Sequence, residues 1–230
     1  FLTMRLKTTL FLFATLFYFS QVEAQSCNAD FETRNGIAVM EFTNKVPRGY
    51  RNESVSGATG GRAVTYRGSN NFRKPGSTTT YKLKVNSTGT YRVQWRSKIS
   101  IIATNGAPPS TEHNDSWLRF PDADDFFGQK GNGKVYPRGS GKTPNPEGAS
   151  KDGWFKIFRS GNDLDFKWHS ATYDNNGHDV FIAFEAPGTY LMEVSARSSG
   201  HAIDKFVLFN ESFTFDEATS GSGTSPVTCD

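Results

Sequence analysis

The sequence predicts an all-β domain, a two-sheet antiparallel β-sandwich with long loops at one end. Three observations carry the prediction. Apolar and polar residues alternate with period two over many short runs, helical periodicity is scarce after residue 24, and clusters of Gly, Pro, Asn and Ser bound the runs. Many short strands with regular turn punctuation are the pattern of a sandwich.

The strands can be taken in order. Residues 79–85 alternate up to the turn Asn86-Ser87-Thr88-Gly89, and residues 91–96 alternate again, which reads as a strand pair around a Gly-containing turn. Residues 153–158 and 163–168 supply two further strands. Residues 179–184 lead through Ala186-Pro187-Gly188 to a strand over 190–197, and 202–209 form the last strong strand. Gly89-Thr90-Tyr91 and Gly188-Thr189-Tyr190 echo each other, and the reading is two similar hairpin openings that pack a Tyr at a sandwich edge.

Ahead of the domain lies an export signal. Arg5 and Lys7 precede an apolar run over 9–19, which is followed by the small-residue pattern Val22-Glu23-Ala24. The run is shorter than the roughly 20 residues that span a bilayer, so a cleaved leader is expected over 1–24 rather than an anchor. Phe1-Leu2-Thr3 precede the expected initiator, Met4. Residues 25–36 read as a lead-in and 37–213 as the domain. Residues 214–230 read as a flexible tail, because Ser220-Gly221-Ser222-Gly223 has linker composition. Further modules of the same chain are expected after it. Cys27 and Cys229 stand at opposite ends of the exported part. Export permits a disulfide between them, and free thiols in linker-like segments are the alternative.

The whole chain carries a net charge of +3, and removal of Arg5, Lys7 and Glu23 brings it to +2. A balance this close to neutral argues against nucleic acid as a partner, since phosphate binding needs a concentrated basic face. No later run approaches membrane length.

Residues 102–176 change character, with Asn105-Gly106-Ala107-Pro108-Pro109 and other Gly- and Pro-rich stretches, yet they hold Trp117, Trp154 and Trp168. Long loops on a rigid sheet are where binding usually resides. Sugars present apolar C–H faces and hydroxyl rims, so a site needs aromatic rings together with amides, carboxylates or His. The candidates are Trp154, Trp168, His169, Asn114, Asp115, His178 and Asp179. Trp95 lies mid-strand and reads as core, as does Trp117.

Metal and catalytic signals are thinner. Asp122-Ala123-Asp124-Asp125 and Asp174-Asn175-Asn176-Gly177 carry oxygen ligands suited to calcium, but neither fits the twelve-residue calcium loop, and both read as solvated carboxylates. His113, His169, His178 and His201 have no zinc spacing. Gly139-Ser140-Gly141-Lys142-Thr143 lacks the spacing of a phosphate loop, and Pro144 would disturb a helix start. Asn52, Asn86, Asn114 and Asn210 stand in Asn-x-Ser/Thr sites.

Three places support a family resemblance: Val39-Met40-Glu41 with Ser56-Gly57-Ala58-Thr59-Gly60-Gly61; Gly89-Thr90-Tyr91-Arg92-Val93 with Arg96; and Gly188-Thr189-Tyr190 with Arg197 and His201-Ala202-Ile203-Asp204. Over residues 37–210 the chain resembles the galactose-binding-like jelly rolls, especially carbohydrate-binding modules of the sixth and thirty-fifth family type. The resemblance implies a jelly roll, glycan binding by loops at one end, and a structural calcium for which Glu41 and Asp204 match two of the family's ligands. Val39 stands where that family has a first Glu, and the insertion over 105–152 is longer than usual.

The expectation is therefore a secreted, non-catalytic module that binds a polysaccharide. Two alternatives stand beside it. One is an extracellular adhesion module whose loops contact protein. The other is a jelly-roll lyase or hydrolase with His169, Tyr173 and His178 as acid/base groups.

Overall fold

The computed structural model describes residues 28–100, 111–161, 164–221, 223 and 224. The expected leader, Cys27 and Cys229 lie outside the described residues. Among the described residues, no helix is long and apolar enough to cross a membrane.

In chain order the first strands are β1 (Phe31–Glu32), β2 (Ile37–Glu41), β3 (Tyr50–Ser54), β4 (Arg62–Tyr66), β5 (Thr78–Val85) and β6 (Gly89–Ile99). The middle of the chain forms β7 (Asp115–Arg119), β8 (Asp125–Lys130), β9 (Gly133–Val135), β10 (Ser150–Lys151) and β11 (Trp154–Phe158). Then come β12 (Lys167–Trp168), β13 (Ala171–Thr172), β14 (His178–Phe184), β15 (Gly188–Ala196), β16 (His201–Asn210) and one short helix, α1 (Phe215–Ser220).

These strands form one ladder, β1-β5-β15-β7-β11-β13-β14-β6-β16-β4-β3, curled into two facing layers. One layer is β1-β5-β15-β7-β11. The other is β14-β6-β16, widened by β2 and β4-β3 on the far edge of β16 and by β8-β9 on β14. The short β13 joins the layers through Phe158 opposite Ala171. This is the expected antiparallel sandwich; the pair β1–β5 alone runs parallel among the described strands.

Alternation decides which side chains enter the space between the layers. Tyr81, Leu83 and Val85 of β5 point inward, as do Val180, Ile182 and Phe184 of β14. Rings meet across the gap edge to face: Phe31 and Phe206 at 5.7 Å, Phe42 and Tyr81 at 5.7 Å, Phe126 and Phe155 at 4.9 Å. Trp95 is core, as expected. Each such fully buried side chain contributes about 1.5–3 kcal/mol.

The strand pair expected around residues 86–89 does not form. β5 pairs with β15 and β1, while β6 pairs with β14 and β16. The turn carries the chain from one layer to the other, and Ala186-Pro187-Gly188 does the same between β14 and β15. The tyrosine echo marks these two crossings rather than two hairpins. Tyr91 donates its hydroxyl to the Ser87 carbonyl at 2.8 Å, and Tyr190 donates to the Ala186 carbonyl at 2.8 Å. Each ring thus ties its strand to the connection four residues upstream, and Phe184 packs against both, at 5.6 and 4.5 Å.

β16 is buried along nearly its whole length because both its faces are covered. One faces the main core. The other, through Val207 and Phe209, packs with Val39, Trp168, Phe215 and Ala218. Six helical residues are too few to stand alone, so this packing holds α1 in place. Thr214 and Glu217 close its first turn as a capping box, with Glu217 N–H donating to Thr214 Oγ1 at 3.3 Å and Thr214 N–H to Glu217 Oε2 at 2.8 Å. Helix α1 thus occupies the start of the stretch expected as a tail, and Phe31 enters the core within the expected lead-in.

Candidate functional site

Strands β7, β11 and β15 lie side by side, and a polar cavity of about 400 Å³ opens where β7 begins and β11 ends. Pairing sets its walls. Asp115 stands opposite Phe158, and Ser116 stands opposite Ala196, which brings the following Arg197 beside Asp115.

Asp115 and Arg197 form an ion pair that is almost fully buried. Ser198 accepts from the Asp115 N–H at 3.0 Å and donates its hydroxyl to the same residue's carboxylate. The Arg197 guanidinium lies 4.9 Å from the Phe72 ring and 5.2 Å from the Trp117 ring, which fixes its plane. Burial raises the Asp115 carboxyl above its usual range, although Arg197 and Ser198 pull it back.

A second pair faces the first. Lys156 of β11, its side chain only 5% exposed, pairs with Asp174, whose side chain is 47% exposed at the rim. The Lys156 ammonium also sits 5.6 Å from the Phe158 ring. Asp174 is presented by a turn in which Tyr173 (φ 68°) and Asn175 (φ 60°) are both left-handed. A tyrosine there costs of order 1–3 kcal/mol, and such strain collects where a loop must hold one shape. Gly148 (φ 76°) permits a close approach beneath it, since a Cβ would come within 3.2 Å of Asp174 Oδ2. Asn114 closes the floor, donating its amide to the Arg159 carbonyl at 2.6 Å.

Beneath the cavity runs a buried hydrogen-bond chain, Tyr50 Oη to Ser116 Oγ at 2.5 Å and Ser116 Oγ to His201 Nδ1 at 2.8 Å. Burial lowers His201 to about 3, so its ring is neutral at ordinary pH, and burial raises the Tyr50 hydroxyl. The chain ties β3, β7 and β16 together across the two layers.

The structure treats the expected ligand residues unequally. Asn114 and Asp115 line the cavity, and His169 touches its wall, where Nδ1 accepts from the Ser160 N–H at 3.2 Å. Trp154 is instead 4% exposed and covered by the Arg119 guanidinium at 4.7 Å, which Glu193 clamps at 2.7 and 2.5 Å. Trp168 packs against the α1 cluster, because β12 lies along β6 on the outer face. His178 is buried at the start of β14, its Nδ1 bonded to the Asn176 carbonyl at 2.6 Å. Asp179 pairs with Arg92 at 2.6 Å, and Arg92 lies 5.2 Å from the Phe215 ring, so that pair belongs to the helix contact. Trp154, Trp168, His178 and Asp179 thus lie away from the cavity.

The acid/base candidates are not gathered at one cavity either. Burial lowers His169, while Tyr173 and His178 face each other at 5.5 Å. Glu112 and Lys156 were missed, and nothing in the sequence marks them. Asp174 and Asn175 read as solvated loop oxygens, and Arg197 entered only through the family resemblance; the structure brings all three to the cavity.

Glu41 and Asp204 do not fit calcium. Pairing sets Glu41 opposite Lys205, whose ammonium lies 3.6 Å from Glu41 Oε1. A register shift in β16 between Ile203 and Lys205 accompanies Asp204, which pairs with Arg96 and accepts from Thr59 N–H and Oγ1 at 3.1 and 2.9 Å. The donor set is one of two carboxylates each met by a cation, where calcium needs six to eight oxygens. Among the described residues, no three acidic, His or Cys side chains converge as a metal cage.

A second cavity, of about 330 Å³, lies at the opposite end of β7 and β11, lined by Arg119, Asp124, Asp125, Lys142 and Asp152 among others. Lys142 is held there by Asp125 at 2.8 Å.

No family model and no curated protein matches the chain. Among solved structures it aligns with a GH26-CBM35 β-(1,4)-mannanase from Podospora anserina, at 14% identity and a TM-score of 0.41, over 76% of this chain and 28% of that one. It also aligns with a carbohydrate-binding module (CBM6cm-2) of Cellvibrio mixtus lichenase 5A, a complex with cellotriose, at 12% identity and a TM-score of 0.38, over 76% of this chain and 98% of that one. The chain thus spans little more than a quarter of the mannanase.

Proposed function

We propose that the chain is a secreted, non-catalytic module that binds a carbohydrate in the cavity between β7, β11 and the turn at 173–175. One observation carries the reading. A cavity within the roughly 300–1,000 Å³ of ordinary ligand sites is walled by charged and amide groups held by pairing and packing, with the Phe158 ring at its side. Carboxylates accept from sugar hydroxyls, ammonium and guanidinium groups donate to them, and a ring edge or face takes the C–H surface. The groups are already fixed by ion pairs, so little ordering cost falls on binding. The leader over 1–24 supports export, and a polysaccharide outside the cell is the partner this reading names.

Titration calorimetry of the purified chain against a panel of oligosaccharides tests it. Asn175→Ala, at the exposed rim, is expected to weaken binding about tenfold, the loss of one or two hydrogen bonds, with urea stability within about 1 kcal/mol of wild type. Retained affinity in Asn175→Ala and Asp174→Ala together would remove the cavity from the account. Release of new reducing ends from any bound polysaccharide would contradict the non-catalytic part.

A further inference from the structure

The charges in the same cavity bear on which sugars it takes, a question that rests on the carbohydrate reading above. Five charged side chains line it, Glu112, Asp115 and Asp174 against Lys156 and Arg197, which leaves one negative charge in excess among the described residues. Both cations are matched, Arg197 by Asp115 and Lys156 by Asp174. The neighbouring Arg159 turns its guanidinium to the carbonyls of Gly161 and Asp165, at 3.3 and 3.2 Å.

An arriving carboxylate or sulfate ester would therefore have to displace Asp115 or Asp174 from its cation. Displaced Asp115 would be a buried carboxylate without a counter-charge, a costly state. An anion that left both pairs intact would meet the one net negative charge of the lining, carried at the rim by Glu112, and a like charge within about 5 Å at a part-buried site weakens binding about tenfold. A neutral sugar meets neither obstacle. Its hydroxyls donate to the remaining carboxylate lone pairs and accept from the remaining N–H groups of Arg197 and Lys156, leaving both pairs in place.

We infer that the cavity takes neutral sugars and discriminates against uronates and sulfated sugars. The discrimination resides in Asp174 and Glu112 at the rim as much as in the buried Asp115. Opening the Lys156 pair from the exposed side supplies the cation an anionic sugar needs.

The test uses the full chain and three-unit cello-, manno- and galacto-oligosaccharides, each beside its C6-carboxylate counterpart, at one ionic strength. The neutral member of at least one pair is expected to bind at least about tenfold tighter than its uronate. Asp174→Asn should raise uronate affinity about tenfold while the neutral ligand changes less, and Glu112→Gln, at an exposed position, should narrow the gap about threefold. Equal or tighter uronate binding by the wild-type chain, or a gap unchanged in both variants, overturns the specificity but leaves a sugar site. Absence of binding to all six probes overturns the carbohydrate reading itself.

Discussion

Asp115–Arg197 and Asp204–Arg96 each pair a buried aspartate with an arginine across neighbouring strands, and they differ in what stands around the pair. At Asp115–Arg197 the segments 158–161 and 173–175 stand apart and leave a cavity. At Asp204–Arg96 the turn at Thr59 supplies two hydrogen bonds, Arg96 donates to the Gly57 carbonyl at 3.0 Å, and Phe166 lies 4.9 Å from the guanidinium. The ion-pair chemistry is the same in both. One pair closes a seam between β6, β16 and a turn, and the other furnishes the wall of a site. Charge type alone does not separate a binding carboxylate from a structural one; the free space beside it does.

The largest expected effect breaks the closed pair. Asp204→Ala leaves Arg96 without its buried partner and should cost about 3–5 kcal/mol in urea unfolding, while sugar affinity per folded molecule stays within twofold. Loss of affinity out of proportion to the folded fraction would join the two regions into one site.

Acid sharpens the comparison from the other side. The folded pKa of His201, about 3, lies below its ordinary 6.5, so between those values the unfolded chain takes up a proton that the folded chain refuses. Stability therefore falls as pH drops from about 6.5 toward 3, by up to about 5 kcal/mol from this group. Asp115 acts in the opposite sense, because its raised carboxyl takes up a proton in the folded chain before it does in the unfolded one. Urea midpoints at pH 7, 5 and 4 should decline in wild type and decline less in His201→Asn. Parallel slopes would contradict a neutral buried His201.

Trp154→Phe should cost about 1–2 kcal/mol and leave binding unchanged, because the ring supports Arg119 rather than a ligand. The smallest expected effect is that of calcium. Millimolar calcium should shift the melting temperature by less than about 1 °C, since Glu41 and Asp204 are matched by Lys205 and Arg96. A shift of several degrees, reversed by a chelator, would restore the metal expected from sequence.

Much of the fold was legible because period-two patterning survives wherever one face of a strand is buried, as at Tyr81, Leu83 and Val85. It failed for partner choice. Residues 79–85 and 91–96 read as a hairpin because adjacency in sequence suggests pairing, yet Tyr91 and Tyr190 tie down crossings between layers instead. The candidate site was legible only in part. Asn114 and Asp115 stood in a polar loop beside a tryptophan, but Arg197 lies 82 residues from Asp115, and only the β7–β15 pairing brings them together. Trp154 misled because an aromatic in a Gly-flanked polar stretch looks exposed, whereas Arg119 and Glu193 cover it from two neighbouring strands.

The most direct test of the central claim is backbone chemical-shift mapping of the chain during titration with a neutral oligosaccharide that binds. The account predicts perturbations confined to residues 112–116, 156–161, 173–176 and 197, with those of Asn175→Ala reduced at matched concentrations. Perturbations centred instead on Trp168 and the α1 contact, or on Arg119, Lys142 and Asp152 at the other end of β7 and β11, would contradict it.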